Sequence, residues 1–197
     1  MSDDPGARRC AWTRLSSRPV HRGEHLTLHH DRVLQPDGME GTYDRITLAD
    51  GARVVAIDAD DRVALVEDAF YPLGERLLHV PGGAIAAGER PEDAAARECE
   101  EETGLRPGTL RPLTAYHPLP ARTSAVTHLF LATDLRRGAL RRDPTEATMS
   151  VRWVPLGEAV AAVCSGAVSE AGSAIGLLLA ASVLTPAEAG TVRSPGR

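Results

Sequence analysis

Apolar residues between positions 26 and 80 come in short runs cut by Asp, Gly or Pro. Runs rich in Val, Leu or Ile with such punctuation predict strands over 26–34, 43–47, 52–58, 63–68 and 76–80. The stretches LADGA (48–52) and DADDR (58–62) predict tight turns, since Asp and Gly tolerate the required backbone angles. The pattern then changes at Pro91, which suits a first helical position because its missing N–H costs nothing there. Glu92 and Asp93 favour the positive helix start, Ala94, Ala95 and Ala96 are strong helix formers, and Gly104 supplies a left-handed cap. Strands resume at 110–117, 125–133 and 151–154, followed by helices at 156–164 and 169–184. This order predicts an α+β domain, a mixed β-sheet between helical layers, over residues 23–185. Residues 1–22 show no periodicity and read as a flexible N-terminal arm, and 186–197 as a flexible C-terminal tail. The apolar stretch 171–184 has the length of a buried helix and is too short to span a bilayer.

Composition narrows the class. With 43% hydrophobic residues among 197, the chain can bury a sizeable core. A net charge of -5 argues against nucleic acid or an anionic membrane as partner. All 22 basic residues are arginine, whose planar fork suits phosphate. Cys10, Cys99 and Cys164 lie far apart without metal or disulfide spacing, and His29, His30, His79 and His117 show no metal-ligand pattern. MSDDPGARRC lacks the apolar core of a signal peptide, so a cytoplasmic, reducing location is expected.

Charge is concentrated on the helix that begins at Pro91. Glu98, Glu101 and Glu102 are spaced i, i+3 and i+4 and project from one face, leaving Ala95, Ala96, Cys99 and Thr103 on the other. Like charges at this spacing destabilise a bare helix, so either water solvates them or a cation neutralises them. Gly82, Gly83 and Gly88, just upstream, allow backbone to approach a ligand or ion closely.

The spacing Gly83, Glu89, Arg97-Glu98, Glu101-Glu102 and Gly104-Leu105 resembles the Nudix box, G-x5-E-x7-R-E-U-x-E-E-x-G-U, with U a bulky aliphatic residue. Every fixed glycine, arginine and glutamate matches, an agreement expected by chance in on the order of one window in 10⁷ to 10⁹. Cys99 departs by taking an aliphatic slot, where it packs as a small hydrophobe. The strand pattern around the box is similar too, which implies a Nudix-type α/β/α sandwich.

The resemblance further implies Mg²⁺, or Mn²⁺, held by Glu98, Glu101, Glu102 and the backbone carbonyl of Gly82 or Gly83. Hard oxygen donors suit such ions. Arg97 and Glu89 are expected to orient the ligands. Relatives implied by the box hydrolyse a nucleoside diphosphate joined to another group. The general base implied is Glu146, in TEATMSVRWVPLGEA, which is similar to the matching segment of bacterial ADP-ribose pyrophosphatases; Glu101 is the second choice. Pro120, in HPLPARTS, matches a proline of the ADP-ribose and ADP-sugar enzymes. The arginine those relatives carry after Leu65-Val66 is absent, and Glu67-Asp68-Ala69-Phe70 stands there. Arg76 or Arg122 is then expected to contact phosphate, and Phe70, Tyr71 or Tyr116 to stack on a base. ADP-ribose or an NDP-sugar is the implied substrate. A house-cleaning nucleoside triphosphate pyrophosphohydrolase and a non-catalytic nucleotide sensor are the alternatives. The resemblance also implies a homodimer whose N-terminal strands help complete the neighbouring site.

Overall fold

A computed structural model describes residues 11–142 and 146–184. The tail expected at 186–197 lies outside the described residues, as do residues 1–10. The described chain forms two compact units: one made of residues up to Ala49 with Leu119–Ala125, the other of Asp50–Pro118 with Val126 onward.

The smaller unit is an antiparallel meander of β1 (Thr13–Arg22), β2 (Leu26–Leu34) and β3 (Glu40–Leu48). The arm expected at 1–22 is corrected over its second half, since Thr13–Arg22 is a ten-residue strand paired with β2. It escaped the sequence reading because all of its side chains are exposed, which erases the apolar alternation. Backbone pairing with β2 defines it, and Pro19 sits on this edge strand at a register shift, where a missing N–H is tolerated. Segment 119–125 folds onto β3: the Ile46 N–H donates to the Arg122 carbonyl and the Tyr43 hydroxyl to that of Ala121. The Arg122 guanidinium lies 5.7 Å from the Tyr43 ring centre.

The larger unit carries the core. β4 (Gly51–Ala56) and β10 (Thr127–Thr133) pair in parallel, flanked by β7 (Gly82–Ala84) and β9 (Thr109–Tyr116) to give the order β7-β4-β10-β9. A second sheet orders β12 (Ser150–Pro155), β5 (Arg62–Phe70) and β6 (Glu75–His79), and an Ile57–Val63 bridge joins the end of β4 to β5. Short β8 (Leu105–Arg106) and β11 (Arg136–Arg137) pair with each other. Alternation along β4 sorts the two faces. Ala52, Val54 and Ala56 pack with Ala94, Ala95 and Cys99 of α1 (Pro91–Thr103). Val55 and Ile57 face the other way, toward Ala159 of α2 (Leu156–Ser165) and Leu177 and Ala180 of α3 (Ala171–Leu184). The unit is therefore the anticipated α+β sandwich, a mixed sheet between helices.

Apart from β1, the long elements match their sequence signals. β2 spans 26–34 as expected, α1 begins at Pro91, and Gly104 caps it at φ 71°. In the turn after β4, Asp58 Oδ1 accepts N–H bonds from Asp60 and Arg62, the local bonding that makes Asp a turn residue. The 171–184 stretch is the expected core helix, and no described helix is long and apolar enough to cross a membrane.

Candidate active site

β7 lays Gly82 and Gly83 against the acidic face of α1. Gly82 has φ 153°, and a Cβ there would run into the Ala52 carbonyl and lie 2.7 Å from Arg53 Cα. At Gly83 a Cβ would sit 2.5 Å from Glu98 Oε1 and 2.7 Å from its Cδ. Glycine at 83 is thus what lets the Glu98 carboxylate rest on the backbone of β7. The Gly82 N–H donates to Glu102 Oε2 at 3.1 Å.

Arg97 organises the remaining acids. Its Nε and Nη2 form a fork on Glu89 (2.9 and 3.0 Å), and Nη2 also donates to the Ala84 carbonyl at 3.0 Å. Nη1 bridges Glu98 Oε1 at 2.7 Å and Glu101 Oε2 at 3.0 Å. Arg97 thus touches Glu89, Glu98 and Glu101 at once. Glu89 Oε2 additionally accepts the Ala86 N–H, closing the loop before α1. These bonds, led by those from Arg97, hold Glu89 down to about 2.

Glu98 and Glu102 behave in the opposite way. Both are buried, at 9% and 4% exposure, and burial is the main force raising their protonation. For Glu98 the Arg97 contacts offset part of that rise, while the charges of Glu101 and Glu146 add to it. Glu102 is pushed up to about 8, the Gly82 N–H and Arg53 opposing burial and the charges of Glu98 and Glu146 reinforcing it. Glu146 therefore lies near enough to bear on both buried carboxylates. Cys99, on the core side of the helix, is pushed up to about 12 by burial and is chemically quiet.

As they stand, no three described His, Cys, Asp or Glu side chains converge on one cation position. Arg97 engages Glu98 and Glu101, and the Gly82 N–H engages Glu102. The residues nonetheless suit a hard divalent cation. All the side-chain donors are carboxylate oxygens on one helix face, two of them are buried against the ionised state, and Gly83 leaves them room.

A match to the NUDIX domain family covers residues 47–170, more than half of the chain. The chain belongs to the Nudix family. Residues 12–46 match a second description, the nucleoside diphosphate sugar hydrolase N-terminal domain. The CMP-5'-(N-acetyl-N-hydroxy-3-aminopropyl)phosphonate hydrolase of Streptomyces rubellomurinus is 34% identical over 172 residues, 85% of this chain and 81% of that protein. The ADP-ribose pyrophosphatase of Mycobacterium tuberculosis is 31% identical over 173 residues, 87% of this chain and 84% of its own length. A solved structure titled as an ADP compounds hydrolase superposes with a TM-score of 0.78 at 24% identity, over 88% of this chain and 94% of that one, and shares the fold.

This Nudix hydrolase keeps its other expected site residues in varied places. Arg76, on β6, donates to the Glu67 and Thr148 carbonyls at 3.0 and 2.9 Å. Tyr71 stands 97% exposed in the turn after β5. Pro120 and Arg122 belong to the smaller unit. Two participants were not anticipated. Arg53 in β4 makes a 3.4 Å ion pair with Glu170, whose carboxylate accepts the Gly172 and Ser173 N–H groups at the start of α3. A lone arginine inside the apolar run ARVVA was the available signal. Arg142 bonds the Glu102 carbonyl through Nε at 3.2 Å and Nη2 at 3.0 Å. Nothing in the pattern of LRRDP singles it out.

Proposed function

We propose that this Nudix hydrolase uses Mg²⁺, with Mn²⁺ as an alternative, to cleave the pyrophosphate bond of a nucleoside diphosphate linked to a further group. ADP-ribose or an NDP-sugar is the substrate this reading favours, and the products are a nucleoside monophosphate and a phosphorylated remainder. The observation that carries it is the pair of buried carboxylates, Glu98 and Glu102, pressed on the glycine backbone of β7 with Glu101 beside them. Such burial of like charges is costly unless a cation compensates it. Glu98, Glu101 and Glu102, with the Gly82 carbonyl, would hold that cation. When bound it supplies positive charge against the diphosphate and polarises the phosphoryl oxygen. Glu146 takes the proton of the attacking water as the water oxygen bonds to one phosphorus and the bridging P–O bond of the anhydride breaks, and the other phosphoryl group leaves as a phosphate monoester anion. Arg97 and Glu89 keep the glutamates in place.

The names of the relatives support the substrate class. One is named for an ADP-ribose pyrophosphatase, and the other for a hydrolase of CMP joined to a phosphonate. The second favours an alternative within the same chemistry, a nucleotide–phosphonate anhydride. A triphosphate pyrophosphohydrolase and a nucleotide sensor are the contrasting readings; retention of every box glutamate weighs against the sensor. We place the enzyme in the cytoplasm as a homodimer. The exposed apolar residues of the smaller unit, Trp12, Leu15, Val20 and Met39, support an interface there.

Product release from ADP-ribose, ADP-glucose, GDP-mannose, a CMP-phosphonate and oxidised triphosphates, with Mg²⁺ and then with EDTA, tests this reading. Turnover of a nucleoside diphosphate derivative that EDTA abolishes is the expected result. Binding without turnover across the panel points to the sensor, and cleavage confined to triphosphates points to the house-cleaning activity.

A further inference from the structure

The last carbonyls of an α-helix have no partner within it and must be satisfied from outside. α1 carries no basic residue in its own last turn. Three of its final carbonyls are nonetheless engaged: Glu100 by the Gly104 N–H, Glu101 by the Arg141 N–H, and Glu102 by the Arg142 guanidinium. Arg142 is more than a cap, because its Nη1 also donates to the Met149 carbonyl. The Met149 N–H in turn donates to the Glu146 carbonyl at 2.9 Å, closing a tight turn that begins at Glu146. A continuous path therefore runs from the backbone of Glu102 through one guanidinium to the backbone that presents Glu146. Arg76 grips the same turn at the Thr148 carbonyl, but it ties that turn to β6 and not to the acidic helix.

We infer that Arg142 is a positioning residue, its guanidinium fastening the turn that carries Glu146 to the C-terminal end of the helix that carries Glu98, Glu101 and Glu102. This inference rests on the reading of Glu146 as general base. Its chemical sense lies in the geometry of arginine, whose planar fork spends two donors on one carbonyl and a third on another. A base must sit within hydrogen-bond reach of the water it activates, and a loop free to drift loses that reach. The bridge sets the spacing between the acids and the base without touching substrate. It also lies outside the Nudix box, with both anchoring points on backbone atoms, so no side-chain pattern advertises it.

The test is a double-mutant cycle of wild type, E146Q, R142M and R142M/E146Q at saturating Mn²⁺, with Mn²⁺ affinity measured separately by calorimetry. Displacing a catalytic group by an ångström costs on the order of 10²-fold, so R142M should lower kcat by about 10- to 100-fold while KM changes by no more than about 3-fold. Mn²⁺ affinity should stay near that of wild type, because the glutamate side chains remain. E146Q should lower kcat at least as far, and the double variant should be no slower than E146Q alone. R142K, which can reach one carbonyl but cannot span both, should fall between R142M and wild type; if R142M does not fold, R142K and R142Q are carried through the same cycle. If the two losses multiply in the double variant, or if R142M loses activity only through weakened Mn²⁺ binding, the positioning role is overturned while Glu146 stands. If E146Q turns over near the wild-type rate, the assignment of the base itself fails, and the role inferred for Arg142 fails with it.

Discussion

α1 and α3 cover opposite faces of one sheet, and both press small residues onto β4 and β10. α3 carries no charged residue at all and buries Gly172, Ser173, Gly176, Leu177 and Ala180. α1 buries Ala94, Ala95 and Cys99 in the same manner, and then buries Glu98 and Glu102 as well. The closeness of α3 to the sheet is set by its glycines: a Cβ on Gly176 would lie 2.9 Å from Val55 Cγ2. The closeness of α1 to β7 is set by Gly83, and what fills the space there is a carboxylate. One helix spends its contact on packing. The other buries two acids whose ionisation is disfavoured and which lie outside the apolar core clusters, and that is a reason to assign the chemistry to its face. The charge at the entry of α3 is resolved internally. Burial would raise Glu170, but Arg53 and the hydroxyl and N–H of Ser173 outweigh it and hold the group low.

The contrast is sharpest under substitution. E102Q should reduce kcat by more than the roughly 10- to 100-fold typical of residues that merely support a metal ligand, as read from steady-state turnover at fixed Mg²⁺. The same variant should be more heat-stable than wild type in EDTA at pH 8, because it removes a buried acid that resists ionisation. Loss of activity together with loss of stability would place Glu102 with the packing residues. G83A comes next: its methyl group displaces the Glu98 carboxylate, and activity should fall about 10-fold or more while the cooperative melt is kept. G176V should do the reverse, costing about 1–3 kcal/mol of stability by overpacking while leaving turnover per folded molecule unchanged.

The smallest effect is on pH. The ordinary value of a glutamate is 4.5, and in the folded, metal-free protein Glu102 is pushed up to about 8. Between those values the unfolded chain has lost the proton that the folded chain keeps, so the contribution of Glu102 to stability declines as pH rises from about 4.5 to about 8. Denaturant midpoints in EDTA across that window should show the decline, and E102Q should flatten it.

Much of this was legible in the residues. Strands β2 to β6 and helices α1 to α3 announced themselves through apolar runs, Pro91 and Gly104, because burial and capping leave marks on sequence. The spacing of Glu98, Glu101 and Glu102 gave the acidic face before any coordinates. β1 stayed hidden because a strand held by backbone bonds, with exposed side chains, needs no apolar pattern. β7, three residues of Gly-Gly-Ala, carries too little side chain to read as a strand. Arg53 and Arg142 were missed for a related reason: each acts through a partner distant in sequence, Glu170 for one and the Glu102 carbonyl for the other.

The central claim is that the buried acids of α1 exist to hold a divalent ion. An anomalous difference map from a crystal soaked in Mn²⁺ addresses it directly. The expected result is a peak bonded to carboxylate oxygens of Glu98, Glu101 and Glu102, with Arg97 Nη1 drawn away from at least one of them. A well-ordered map with no peak at that face, and Arg97 still bridging Glu98 and Glu101, would contradict it.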